Sequence, residues 1–241
     1  MRRTNDISSS LPLSKIESAI CELCRILEQE NKQMPHWTHR SEDDLWRELV
    51  ACILGSRVRF EVAHEAVDRM HKANLFSAER RCSEYDEYEQ DIFSALSGTT
   101  NTQSYPYSKL RASQIRATAQ KLYDQEGSIR GLLDNARDVR LARRCLASEV
   151  SGLGPKQASL FLRNIGYAVD IAVLDVHVLT YMNWIGLTTG LLKSVRTIRQ
   201  YEMLEDVFIE HSCAAGYPPD SYDVAVWVVV RLAKKEYQTC R

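Results

Sequence analysis

Lys156 and Asp175 are the residues whose types and surroundings point to chemistry rather than packing. Lys156 directly follows GLGP (152–155), and Asp175 lies nineteen residues later in VLDVH (173–177). A lysine in the first turn of a helix sits at the positive end of the helix dipole. A cation there is unfavourable by about 0.3–1 kcal/mol. The placement makes sense if the lysine works as a neutral amine. Desolvation and the dipole lower its pKa, and a free amine forms a Schiff base with a sugar C1′. The plain alternative is a lysine reaching to solvent or to a phosphate. Asp175 opens the next helix, where a carboxylate is an ordinary cap. It can also stabilise an oxocarbenium-like charge on a sugar and take a proton from an incoming nucleophile. Asp170 is the competing acid, but it precedes the apolar run 171–174 and is expected at the surface.

The elements around these two residues set their positions. In LARRCLASEVSGLGPKQASLFLRNIG (141–166) an amphipathic helix runs to about Val150, SGLG breaks it, and a second helix begins at Pro155. Proline suits the first helical turn because its missing N–H has no partner to lose there. Gly152 and Gly154 can take positive φ and show backbone N–H groups with no Cβ in the way. Leu153 is expected to plug between the helices. This is a helix–hairpin–helix pattern whose amides, at a helix N-terminus, suit a DNA backbone phosphate. A tight turn between two helices without a ligand is the alternative reading of the glycines alone.

Apolar residues recur at three- and four-residue spacing along most of the chain, as at Leu13, Ile16, Ile20, Leu23, Ile26 and Leu27. Ser41 is placed to cap a helix whose first turn holds Asp43 and Asp44. Further helices are expected over roughly 107–124, 137–149, 156–166, 175–184, 195–213 and 220–235. No run of alternating strands appears, so the fold class is all-α, with about nine or ten helices. The polar loop SGTTNTQSYP (97–106) is the expected hinge. It divides an N-terminal lobe (13–106) from a catalytic lobe (107–241), after a flexible start (1–12). The first and last helices can still pack together.

Composition bounds the rest. The chain has 241 residues, 44 % hydrophobic and 26 % charged, with a net charge of −1. That is ordinary for a globular protein, and overall charge carries no nucleic-acid signature. Local charge is uneven: 107–123 holds four Lys or Arg and no acid, whereas SEYDEYEQD (83–91) is acidic. One basic and one acidic face is one reading; a mixed, solvated helix surface is the other. Seven cysteines are scattered, and Cys21 and Cys24 form a C-x-x-C inside an amphipathic helix. A zinc or iron–sulfur site needs about four ligands, so buried thiols are expected, with no metal and no cofactor. No apolar run approaches the roughly 18–20 residues that span a bilayer. The polar, Ser-rich N-terminus lacks the apolar core of a secretory signal. A cytoplasmic protein is expected; the resemblance given next implies a nucleoid-associated monomer of bacterial or archaeal type.

GLGPKQASLFLRNIG followed by VLDVHVL resembles the helix–hairpin–helix DNA glycosylase superfamily, with the archaeal and bacterial 8-oxoguanine DNA glycosylases of the second type the nearest branch. The resemblance reaches from about residue 40 to 235. It takes in EDDLWRELVACIL (42–54), YSKLRASQIRATAQ (107–120) and YDVAVWVVV (222–230). It implies a two-lobed fold with the active site in the interlobe cleft, and a bifunctional glycosylase/AP lyase acting on double-stranded DNA without metal. Lys156 is then the Schiff-base nucleophile, and Asp175 activates it and stabilises the sugar cation. Gly152 and Gly154 hold a phosphate through their amides, and His177 holds one near the flipped nucleotide. Trp227, Phe161 and Asp223 are candidates for the base pocket.

Two departures bear on the base. The branch carries Asn or Gln after its first-lobe helix, where this chain has GSRVR, with Arg57 as a DNA-binding candidate. The branch ends in a lysine whose carboxylate helps read 8-oxoguanine, whereas this chain runs on to KKEYQTCR. A glycosylase for another modified or bulky base, for example on foreign DNA, stays open. So does a helix–hairpin–helix protein that binds DNA without cutting it. Retention of both Lys156 and Asp175 argues against the latter, since phosphate binding needs neither.

Overall fold

The computed structural model describes residues 12–30, 36–98, 104–124, 127–195 and 197–239, and these are helical with no strand. Residues 1–11, at the polar N-terminus, and 99–103, in the expected hinge, lie outside the described residues, as do Cys240 and Arg241.

The chain divides into two compact units. One comprises Met1–Gln33 with Val169–Arg241, the other Met34–Ala168. The expected boundary at 106/107 is therefore corrected. The reason lies in packing: α5 (Tyr85–Ser97) and α6 (Ser108–Tyr123) lie against each other within one unit. Tyr105, between them, donates its hydroxyl to Leu54 O at 2.6 Å and its amide to Leu96 O at 2.9 Å. Tyr105 thus ties the chain just before α6 to the core that α5 shares.

The second unit also holds α2 (Glu42–Leu54), α3 (Phe60–Lys72), α4 (Ala78–Arg81), α7 (Ile129–Asp134), α8 (Val139–Glu149) and α9 (Pro155–Asn164). Helix α2 starts as its sequence predicts. Ser41 Oγ accepts from Asp44 N at 3.1 Å, and hydrogen bonds from Ser41 hold the Asp44 carboxyl below its usual range. Trp46, Leu49, Val50 and Ile53 of α2 are fully buried. Trp46 Nε1 donates to Tyr88 OH at 3.2 Å, so the indole is buried with its polar atom satisfied.

The acidic stretch 83–91 and the basic helix 107–123 are partners rather than opposite faces. Arg116 of α6 pairs with Glu89 at 3.2 Å and Asp86 at 3.6 Å, both on α5. Lys121 pairs with Glu149 of α8 at 3.0 Å. Much of the positive charge in this segment is thus spent on helix packing.

The first unit is built from α1 (Leu13–Gln29), α10 (Val176–Trp184), α11 (Ile198–Ala214) and α12 (Pro219–Thr239). Ile16, Ile20 and Cys24 of α1 join Tyr222, Ala225, Val226 and Val230 of α12 in its core. Burial pushes the Cys24 thiol up to about 12, so it is a protonated packing group. Among the described residues, no helix is long and apolar enough to cross a membrane.

Candidate active site

The hairpin between α8 and α9 forms as its glycines require. Gly152 has φ +81°, the left-handed region that favours glycine. Leu153 is buried and fills the space under the turn. Gly154 departs from expectation: with φ −91° and ψ 177° it is extended and caps α9. A Cβ on Gly154 would meet nothing within 4 Å, so the fold leaves that side of the backbone open. Pro155 takes the first helical position.

Helix α6 supports the hairpin from behind. Thr118 Oγ1 accepts from Ser151 N at 3.0 Å, and the Gln114 side chain lies over Gly152. On the other side, Gln157 Nε2 donates to Cys52 O of α2 at 2.6 Å. Lys156 is therefore flanked by a pinned turn and a pinned neighbour. Lys156 itself is half-buried, and among the described residues it makes no hydrogen bond or ion pair. Its amine is uncommitted, which is what a nucleophile requires.

Asp175 belongs to the other unit and is aimed by a different device. Residues 171–174 are irregular yet buried. A buried backbone without secondary structure must find partners elsewhere, and here side chains of α11 and α12 supply them. Ala172 N donates to Glu205 Oε1 at 3.2 Å, Val173 N to Asp223 Oδ2 at 2.5 Å, and Leu174 N to Tyr201 OH at 3.0 Å. Tyr201 OH in turn donates to Ala172 O at 2.8 Å. Asp175 follows this clamped segment and caps α10. Its Oδ1 accepts from His177 N at 2.8 Å and Val178 N at 2.9 Å, so the cap occupies one carboxylate oxygen and leaves Oδ2 outside it. Lys234 of α12 donates to Thr180 Oγ1 at 2.8 Å and lies within electrostatic reach of the Asp175 carboxylate. Burial lowers the Lys234 ammonium pKa and the aspartate raises it.

The remaining candidates separate. His177 is half-buried in the first turn of α10. Trp227 is half-buried on α12, with the Arg231 guanidinium 4.9 Å above its ring. Arg57 is exposed, with φ +65°. Phe161 is 0 % exposed, a core residue of its unit. Asp223 is 2 % exposed and accepts from Val173 N. Among the described residues, no group of three or more His, Cys, Asp or Glu side chains is placed to hold a metal ion.

The hairpin thus carries an uncommitted lysine at the start of α9, and a capping aspartate starts α10. The family model for 8-oxoguanine DNA glycosylase matches residues 27–216. The chain belongs to the 8-oxoguanine DNA glycosylase family. It is 30 % identical to the 8-oxoguanine DNA glycosylase/AP lyase of Sulfurisphaera tokodaii, over 78 % of this chain and 83 % of that one. It is also 30 % identical to the Sulfolobus acidocaldarius protein of that name, over 76 % and 79 %. The solved 8-oxoguanine DNA glycosylase of Thermotoga maritima superposes with a TM-score of 0.68 at 25 % identity, covering 90 % of this chain and 95 % of that one. The Methanocaldococcus jannaschii 8-oxoguanine glycosylase/lyase, solved with a 15-mer DNA containing 8-oxoguanine, shares the fold, with a TM-score of 0.69 at 19 % identity over 88 % and 95 %.

In this glycosylase-family chain, sequence reasoning missed the residues that hold the site in place. Tyr201, Glu205, Gln114 and Thr118 contact the site only after folding. The one signal available for Tyr201 and Glu205 was a tyrosine and a glutamate four positions apart on one face of a predicted helix.

Proposed function

We propose that this chain is a bifunctional DNA glycosylase/AP lyase that excises 8-oxoguanine from duplex DNA in base excision repair, acting as a single chain. The observation that carries the reading is the Lys156 amine, without a hydrogen bond or ion pair among the described residues, on a hairpin pinned from two sides. Gly152 and Gly154 present their amides to a backbone phosphate, with His177 on a second one, and the target nucleotide leaves the stack. The Lys156 nitrogen then attacks C1′, and the N-glycosidic bond breaks. The base departs with the bonding electron pair and takes up a proton. Asp175 Oδ2 accepts the proton lost by the amine and stabilises the cationic sugar. Ring opening leaves a Schiff base. Loss of a C2′ proton expels the 3′ phosphate and nicks the strand. Trp227 contacts the extruded base. The names of the relatives, 8-oxoguanine DNA glycosylase/AP lyase, support both activities.

The test is borohydride trapping on a panel of lesion duplexes, 8-oxoguanine included, scored separately for base release and nicking. A covalent adduct is expected with 8-oxoguanine and absent for Lys156→Ala. Asp175→Asn keeps the helix cap, because Asn caps as well as Asp, and is expected to fold normally and lose base release. Trapping that survives Lys156→Ala sinks the mechanism. Release from a different lesion alone replaces 8-oxoguanine as the substrate.

A further inference from the structure

The departing base takes up a proton, and neither Lys156 nor Asp175 is suited to give it. The amine attacks as a neutral group, and the carboxylate accepts. A base leaving with the bonding pair departs faster when a positioned acid protonates it.

Lys234 of α12 has the surroundings of such an acid. Its Nζ donates to Thr180 Oγ1 at 2.8 Å, and Thr180 Oγ1 donates to Val176 O at 2.5 Å. Two hydrogen bonds thus link the amine to the first residue of α10, the one directly after Asp175. Thr180 is 4 % exposed and Lys234 is half-buried, so the ammonium is held against the protein rather than extended into water. Along α12, Lys234 follows Trp227 by seven residues and Arg231 by three, which sets all three on one face of the helix. The Arg231 guanidinium, 4.9 Å above the Trp227 ring, lies along that face. Lys234 therefore borders the carboxylate assigned to the sugar on one side and the helix face assigned to the base on the other, which is where the N-glycosidic bond runs.

The charged groups on the elements around it are engaged elsewhere. Asp223 of α12 accepts from Val173 N, and Glu205 of α11 accepts from Ala172 N. Glu17 of α1 acts on Tyr181, His211 and Tyr222. His177 shares the first turn of α10 with Val176. Among the described residues, Asp175 is the charge that acts on the Lys234 amine. Burial makes its ammonium a stronger acid than that of a surface lysine, and Asp175 opposes the loss of its proton. A phosphate contact would account for a lysine here, but not for one held on a buried threonine.

We propose that Lys234 is the general acid that protonates the departing base. The inference rests on the glycosylase reading above, since it needs a leaving base. As the N-glycosidic bond breaks, its electron pair goes to the base, an Nζ–H bond of Lys234 breaks, and the proton joins the base, which leaves neutral. Lys234 becomes a neutral amine, which removes a positive charge from beside the cationic sugar. Asp175 then passes to Lys234 the proton it took from the Lys156 amine, so carboxylate and ammonium are both restored.

The experiment compares wild type, Lys234→Met and Lys234→Arg on two duplexes. One carries the lesion that wild type releases, expected to be 8-oxoguanine, and is scored by single-turnover base release. The other carries a preformed abasic site and is scored by borohydride trapping, which needs no leaving base. Methionine keeps most of the side-chain length and has no proton to give. Arginine keeps the positive charge and the N–H donors but does not give up its proton. Lys234→Met is expected to slow base release by about a hundredfold or more, the usual worth of general acid catalysis. Trapping at the abasic site is expected to match wild type. Lys234→Arg is expected to be as slow in base release as Lys234→Met. Base release restored by arginine overturns the inference and makes Lys234 a charge or phosphate contact. Unchanged base release in Lys234→Met overturns it too. Trapping lost together with base release overturns it in favour of a structural role. Those three outcomes leave the glycosylase reading intact. Wild type that traps at the abasic site but releases no base from any lesion overturns that reading and the inference with it.

Discussion

Gln114 occupies the space that a side chain on Gly152 would need. A Cβ built there lies 2.5 Å from Gln114 Oε1, on a backbone whose φ is already +81°. Gly152 is therefore fixed by the fold and not only by a ligand. Gly152→Ala is expected to lower stability by about 2 kcal/mol, mostly from the left-handed backbone. Pairing it with Gln114→Ala is expected to recover only the steric part. Chemical denaturation of the two variants and Gln114→Ala measures this; full recovery would show that backbone strain is absent.

Gly154 is the contrasting case, because a Cβ there meets nothing. It is the N-cap of α9, a position where Asp is preferred over Gly by a few tenths of a kcal/mol. Gly154→Asp is expected to leave the melting temperature unchanged or slightly raised. The same substitution sets a carboxylate against the incoming phosphate, so DNA affinity is expected to fall by about tenfold or more at low salt. Paired melting and binding measurements check the opposite signs.

Arg57→Gly sets two costs against each other. Relief of the positive φ gains about 1–2 kcal/mol, and the added freedom of the unfolded chain loses about 0.5–1 kcal/mol. The variant is expected to match or exceed wild-type stability by up to about 1.5 kcal/mol. Denaturant titration decides; a clear loss would mean that the arginine side chain stabilises the turn.

Tyr201 satisfies two buried backbone groups, accepting from Leu174 N and donating to Ala172 O. Tyr201→Phe strands both, at about 1–3 kcal/mol for each unsatisfied group. The segment that aims Asp175 loosens with them. Base release is expected to slow more than DNA binding weakens, and a kcat-against-KM comparison separates the two.

His211 lies with Tyr181 and Tyr222, its Nε2 3.2 Å from each hydroxyl. Burial lowers its pKa below the usual value, opposed by Glu17. The unfolded chain thus binds the proton more readily than the folded one. The stability contributed by neutral His211 is complete above about pH 6.5 and is lost as pH falls below that value. His211→Phe is expected to narrow the difference in melting temperature between about pH 7.5 and pH 5. An unchanged difference would remove His211 from the pH response.

The all-helical class, the hairpin and the helix cap at Asp175 were legible because each depends on local chemistry: apolar spacing, a Gly–Pro punctuated turn, a residue able to cap a helix. Family resemblance was legible for the same reason, since its motif lies in two short stretches close in sequence, 152–166 and 173–179. The lobe boundary was not. A polar loop reads as a hinge from composition alone, whereas Tyr105 ties this one to Leu54 and Leu96. The burial of Phe161 and Asp223 was not legible, because an aromatic or an acid on a helix does not reveal which neighbours will cover it.

The sequence by itself determined the chemistry on offer, an amine at a helix start and a carboxylate at the next. Only the tertiary structure decided how each is held. Gln157 meets Cys52 across 105 residues, Arg111 meets Ser56 across 55, and Asp223 meets Val173 across 50. Buried donors and acceptors must be paired, but their partners are chosen by packing, which no local spacing encodes.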